Sequence, residues 1–76
     1  MTVPRQIALL QGARFTSAQP RQGWRHFHVV GLLRTPEGWA AELAASCDPT
    51  RRVVVAVRAL KSAEWAHGWV PLSAAP

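Results

Sequence analysis

Three polar clusters rich in Pro and Gly divide the chain and limit the length of every element between them: Ala18-Gln19-Pro20-Arg21-Gln22-Gly23, Thr35-Pro36-Glu37-Gly38 and Asp48-Pro49-Thr50-Arg51. Proline pre-sets φ for the second position of a type I or II turn, Asp suits the first position, and glycine tolerates positive φ, so each cluster reads as a turn. The segments between them run to about nine residues, which suits strands better than stable helices.

Alternation supports that reading. In His26 to Arg34 the odd positions are Phe27, Val29, Gly31 and Leu33, whereas His26, His28 and Arg34 are even. Trp39 to Cys47 repeats the pattern, with Trp39, Ala41, Leu43, Ala45 and Cys47 odd and Glu42 and Ser46 even. Odd residues are therefore expected on the core face. A three-residue loop, Pro36-Glu37-Gly38 with Gly38 in the αL position, predicts the pairs Thr35 with Trp39, Leu33 with Ala41, Val29 with Ala45 and Phe27 with Cys47. Arg52 to Arg58 reads as a third strand with Val53, Val55 and Val57 inward.

At the ends, Ala13 to Ser17 is a short candidate strand, and Pro4 to Leu10 reads as a helical turn that lays Ile7 and Leu10 on the core. Ser62 as N-cap, Glu64 in the first turn and Gly68 as C-terminal cap predict helical turns over Ala63 to His67. The tail from Val70 to Pro76 reads as extended or frayed. The expected fold is mainly β, a small antiparallel meander curled into an SH3-like or partly open barrel with a short C-terminal helical turn. Residues 1–12 form the N-terminal arm or helical turn, 13–70 a single small β domain and 71–76 the C-terminal tail.

Size leaves no alternative to one domain, because a chain of 76 residues buries only about 60% of the surface it exposes when unfolded. Its lone cysteine, Cys47, offers neither an internal disulfide nor a zinc site, so packing or a partner must supply stability. No apolar run approaches the roughly 20 residues that span a bilayer, and the first ten residues lack the apolar stretch of a signal peptide. A cytoplasmic protein is expected.

The net charge is +5, and eight of the nine bases are arginine. Arginine pairs bidentately with phosphate and stacks on aromatic and base faces, although a charge of this size also simply serves solubility. Four tryptophans accompany it. Trp39 and Trp65 are expected in the core, where large aromatics substitute for staples. Trp24 shares the even parity of His26 and His28, and Trp69 either closes one end of the barrel or stands exposed as a stacking platform.

Continued along the strands, even parity gathers Trp24, His26, His28, Arg34, Glu42, Ser46, Arg52 and Arg58 on an outer face. Aromatics interleaved with arginine on a sheet face are the arrangement that stacks bases and holds the phosphates of single strands. The candidate contacts for RNA or single-stranded DNA are therefore Trp24, His26, His28, Arg34, Arg52 and Arg58, with no RNP-type or KH-type motif to specify a ligand. Val30, Leu32, Val54 and Ala56 share that parity, which suggests that the helical segment or another protein covers the face. The alternative is thus a protein-interaction module or subunit using Val30, Leu32, Val54 and an anchoring Trp69 or Trp24, including a homodimer joined by edge strands.

Catalytic and metal readings are weaker. His26-x-His28 places two imidazoles on one strand face, and the register sets Asp48 opposite His26, but Cys47 falls on the other face and the ligand set stays short. No metal or other cofactor is expected. Inward parity makes Cys47 a small buried hydrophobe rather than a nucleophile. With no GxSxG, P-loop, HExxH or paired-carboxylate arrangement and only four acids, the chain is not expected to be an enzyme.

Five segments in order, Arg14-Phe15-Thr16-Ser17, Gly23-Trp24-Arg25-His26-Phe27, Ala45-Ser46-Cys47-Asp48-Pro49, Arg58-Ala59-Leu60-Lys61 and Trp65-x-x-Gly68-Trp69, resemble the small tryptophan-rich bacterial proteins classed as a domain of unknown function. The resemblance covers about residues 10 to 72. It implies a free-standing cytoplasmic bacterial protein and brings no assigned activity, cofactor or partner. The chain departs from the family pattern at Phe15, where tryptophan is usual, and at Val53-Val54-Val55, where an aromatic is common. Such exchanges suit a core role, in which one apolar shape replaces another, better than a fixed aromatic cage.

Overall fold

The computed structural model describes residues 3–70; the part of the expected tail beyond Val70 lies outside them. A single helical turn α1 (Arg5–Ala8) leads into strands β1 (Arg14–Arg21), β2 (Trp24–Thr35), β3 (Gly38–Ala45) and β4 (Arg52–Ala56). A second helical turn α2 (Val57–Leu60) and a short strand β5 (Trp65–His67) follow. All pairings are antiparallel, in the order β4-β3-β2-β1-β5. The expected meander is present, and its sheet is not closed into a barrel, because β4 and β5 lie at opposite edges. No helix among the described residues is long and apolar enough to cross a membrane.

The turns explain the register. Between β1 and β2, Gln22 and Gly23 both have positive φ (53° and 86°), the signature of a two-residue type I′ turn whose twist matches the flanking strands. Between β2 and β3 the loop is also two residues, Pro36-Glu37, because Gly38 pairs with Thr35 instead of standing in the loop. The expected three-residue loop is thereby corrected, and the pairs near the turn become Arg34 with Trp39, Leu33 with Ala40 and Leu32 with Ala41. A bulge between Val29 and Gly31 then takes up one residue and restores odd-to-odd pairing, Val29 with Leu43 and Phe27 with Ala45. The bulge leaves Val30 without a ladder partner, and the Gln11 side chain donates to its carbonyl at 3.0 Å.

This bulge exchanges faces. Phe27 and Val29 point to the core as alternation predicts, but beyond the bulge Leu32 packs against the core and Leu33 turns outward. Arg34, paired with Trp39, follows Leu32 to the core side. On β3 and β4, Ala41, Leu43, Ala45, Val53 and Val55 face inward as expected. Cys47 is corrected from buried to exposed, since β3 ends at Ala45 and the chain turns away.

The helical turn also sits elsewhere than expected. The chain leaves the sheet after Ala56, and α2 buries Val57 and Leu60 three residues apart. Ser62 and Glu64 form a turn rather than a helix start, with the Glu64 amide donating to Ser62 Oγ at 3.3 Å. Trp65 to His67 is a strand because β1 presents an unpaired edge whose polar groups need partners; Ser17 pairs with Trp65 and Phe15 with His67. Beneath one sheet face, Phe15, Phe27, Val29, Leu43, Val55, Val57, Leu60 and Trp65 form the core, with Ile7, Leu10 and Trp39 packed against it.

Candidate functional site

The opposite, outer face is organised by a row across four strands. Arg14 pairs with His28, His28 with Ala44 and Ala44 with Arg52, and directly paired residues project to the same side of a sheet. Alternation along β2 puts His26 on that side too, with Thr16 paired to His26; Trp24 pairs with Arg21 beyond a register shift, and the Arg21 guanidinium lies over the core-side Trp65. Three of the six candidate nucleic-acid contacts, His26, His28 and Arg52, thus share one face. Its small central residue, Ala44, is fully buried, flanked in register by His28 and Arg52.

Past β5 the chain crosses onto this face. Thr16 Oγ1 donates to the Gly68 carbonyl at 2.8 Å and accepts from the Val70 amide at 2.9 Å. His26 Nε2 donates to the Val70 carbonyl at 2.7 Å, and Trp69 Nε1 donates to the Phe27 carbonyl at 2.9 Å. These bonds lay the Trp69 indole on the outer side of β1 and β2, stacked with the His26 ring at a centroid distance of 6.0 Å. The Arg14 guanidinium lies 4.4 Å from the indole centroid, a cation–π contact worth about 0.5–1 kcal/mol at an exposed site. Trp69 remains 40% exposed, and Trp24, at the start of β2, is 36% exposed.

Arg34 and Arg58 do not join this group. The bulge carries Arg34 to the core side, where its guanidinium lies 5.5 Å from the Trp39 centroid. Arg58 belongs to α2 and lines a cleft of about 270 Å³ with Trp39, Ile7 and Lys61. The alternative, apolar set divides as well. Leu32 is part of the core packing, Val30 is half-buried at the bulge, Val54 is 59% exposed on edge strand β4, and Trp69 is the indole already described. Arg14 and Thr16, absent from the predicted set, are central to the face; the alternation of Arg14-Phe15-Thr16-Ser17 carries their signal, polar out and apolar or small in.

The imidazoles and Asp48 stay apart. The Ser46 amide, not Asp48, meets the His26 carbonyl at 2.9 Å. Asp48 stays within its own turn, where hydrogen bonds from the Thr50 hydroxyl and amide and the nearby Arg51 hold its carboxyl below the usual carboxylate range. Among the described residues no group of three or more His, Cys, Asp or Glu side chains converges on a possible metal position. Three of the four acids are paired with arginines, Glu64 with Arg21 and Glu42 with Arg52 at 3.7 Å and Asp48 with Arg51 at 3.4 Å.

The core side presents a different aromatic. Trp65 is 5% exposed and meets Phe15 and Phe27 edge to face, with the Arg21 guanidinium 4.8 Å from its centroid. Its Nε1–H is buried without an acceptor among the described residues, at a cost of about 1–3 kcal/mol. Trp65 also forms part of the wall of a second cleft, of about 310 Å³, beside α2.

A family model described as Tryptophan-rich protein (DUF2389) matches residues 13–70. That span holds all five strands, α2 and all four tryptophans. No curated protein matches the chain, and no solved structure does.

Proposed function

The chain belongs to the tryptophan-rich family DUF2389, whose function is unknown, and within it we propose a non-enzymatic binding module that contacts RNA or single-stranded DNA through the outer sheet face. The observation that carries this reading is the stack of Arg14, Trp69 and His26 beside the row Arg14, His28, Ala44, Arg52. Guanidinium groups along the row take phosphates, and the half-exposed ring of Trp69 offers a plane on which bases stack. The +5 net charge favours a polyanion. A non-enzymatic role is supported by the tying of Glu42, Asp48 and Glu64 to arginines, which leaves little free carboxylate for acid–base work. The setting that suits this reading is the bacterial cytoplasm.

Tryptophan fluorescence measured while short mixed-sequence RNA and single-stranded DNA are added at two salt concentrations tests the proposal. Quenching that weakens steeply with salt is expected, because neutralising phosphates releases counterions. No response at low salt overturns the reading. A protein-interaction role is favoured instead by Val54, exposed on edge strand β4; a particle mass that rises with concentration in light scattering is its expected mark.

A further inference from the structure

We infer that the cleft beside α2, on the core side of the sheet, binds a small apolar molecule bearing one carboxylate. Its walls are Leu10, Phe15, Val57, Leu60 and Trp65, and its volume is about 310 Å³, at the lower end of the range for small-molecule sites. Phe15, Val57, Leu60 and Trp65 are buried residues of the core, so these walls are preformed and rigid. An occupant of this site need not pay to organise it.

The polar groups select the occupant. Lys61 and His67, both exposed, complete the lining, and no acidic residue does so. His67 is held with its ring edge-on to Phe15 at 5.2 Å, and neither Lys61 nor His67 takes part in an ion pair among the described residues. The margin is therefore complementary to a negative head group, while the depth accepts an alkyl or aryl body. Trp65 adds the second observation, a wall side chain with a buried Nε1–H that no acceptor among the described residues satisfies. The neighbouring cleft shares Val57 and Lys61 but includes Glu37, whose carboxylate disfavours an acid there. This site lies on the opposite side of the sheet from the nucleic-acid face, so each stands or falls alone.

The test uses octanoate, octanol and octylamine added to the ¹⁵N-labelled protein, with the indole N–H resonances assigned. Octanoate is expected to shift the Trp65 indole signal saturably, with octanol weaker and octylamine weakest. Lys61→Glu, a change at an exposed position, should lower octanoate affinity at least about fivefold and leave octanol unaffected. A Trp65 signal unmoved by octanoate overturns the inference, as does octylamine binding as tightly as octanoate, or a Lys61→Glu protein that binds octanoate unchanged.

Discussion

Trp65 and Trp69 stand four residues apart, and each receives an arginine from an end of β1, yet their surroundings are opposite. Arg21 lies over Trp65 and Arg14 over Trp69. Trp65 points into the core against Phe15 and Phe27, buried apart from a sliver of surface, with no acceptor for its N–H among the described residues. Trp69 has crossed to the outer face, spends its N–H on the Phe27 carbonyl and keeps much of its ring in solvent. Phe27 thus touches both, its side chain meeting Trp65 and its carbonyl anchoring Trp69. One indole serves packing at the expense of a hydrogen bond; the other satisfies its hydrogen bond and leaves a face to offer.

Truncation is the strongest way to break that contrast. Trp65→Ala should lose about 3–5 kcal/mol of stability in urea unfolding, as large core truncations do, whereas Trp69→Ala should cost well under half as much, since it forfeits one hydrogen bond and partly exposed contacts. Equal losses would remove the distinction. A gentler substitution sharpens it. Trp65→Phe deletes the unsatisfied donor while keeping most of the apolar body, so its cost should fall to within about 1.5 kcal/mol, measured in the same unfolding experiment. A loss as large as that of Trp65→Ala would mean that the indole N–H has a partner in solution.

The smallest expected effect lies away from both indoles, in the Asp48 turn. Its folded carboxyl titrates below the unfolded value of about 3.8, mainly through the Thr50 hydroxyl, so it stabilises the fold above that pH and loses the contribution as pH falls through the lower folded value. Thermal unfolding followed below pH 3.8 should show this loss, slightly, and Asp48→Asn should remove it, with neither indole affected. An identical acid response in the variant would show that the Thr50 contacts do not persist in solution.

Much of this was legible in residue order, because turn chemistry and period-two alternation are local. The second and third polar clusters do become turns, whereas the first turns only at Gln22-Gly23, because the strand expected to end at Ser17 runs on through Ala18 to Arg21; Phe27, Val29, Ala41, Leu43, Ala45, Val53 and Val55 do face inward, and Trp39 and Trp65 do join the core packing. What escaped depended on neighbours. Choosing a two-residue loop at Pro36-Glu37 forces a compensating bulge near Val30, and that single residue sends Leu32 and Arg34 to the core side and Leu33 outward. Trp65 to His67 carries helix-compatible residues, but the open edge of β1 recruits it as a strand, a tertiary demand that local propensity does not register. Arg14 was within reach of the same alternation that identified His26 and His28; its place over Trp69 was not, because a chain crossing after Gly68 creates it.

The most direct test is the affinity for a short single-stranded RNA, at low salt, of two proteins that differ from the parent by one charge each: Arg14→Ala on the outer face and Arg34→Ala on the core side. The account predicts that Arg14→Ala weakens binding across sequences and reduces the salt dependence by about one counterion, while Arg34→Ala binds as the parent does. Equal loss in the two variants, or no loss in Arg14→Ala, would contradict it.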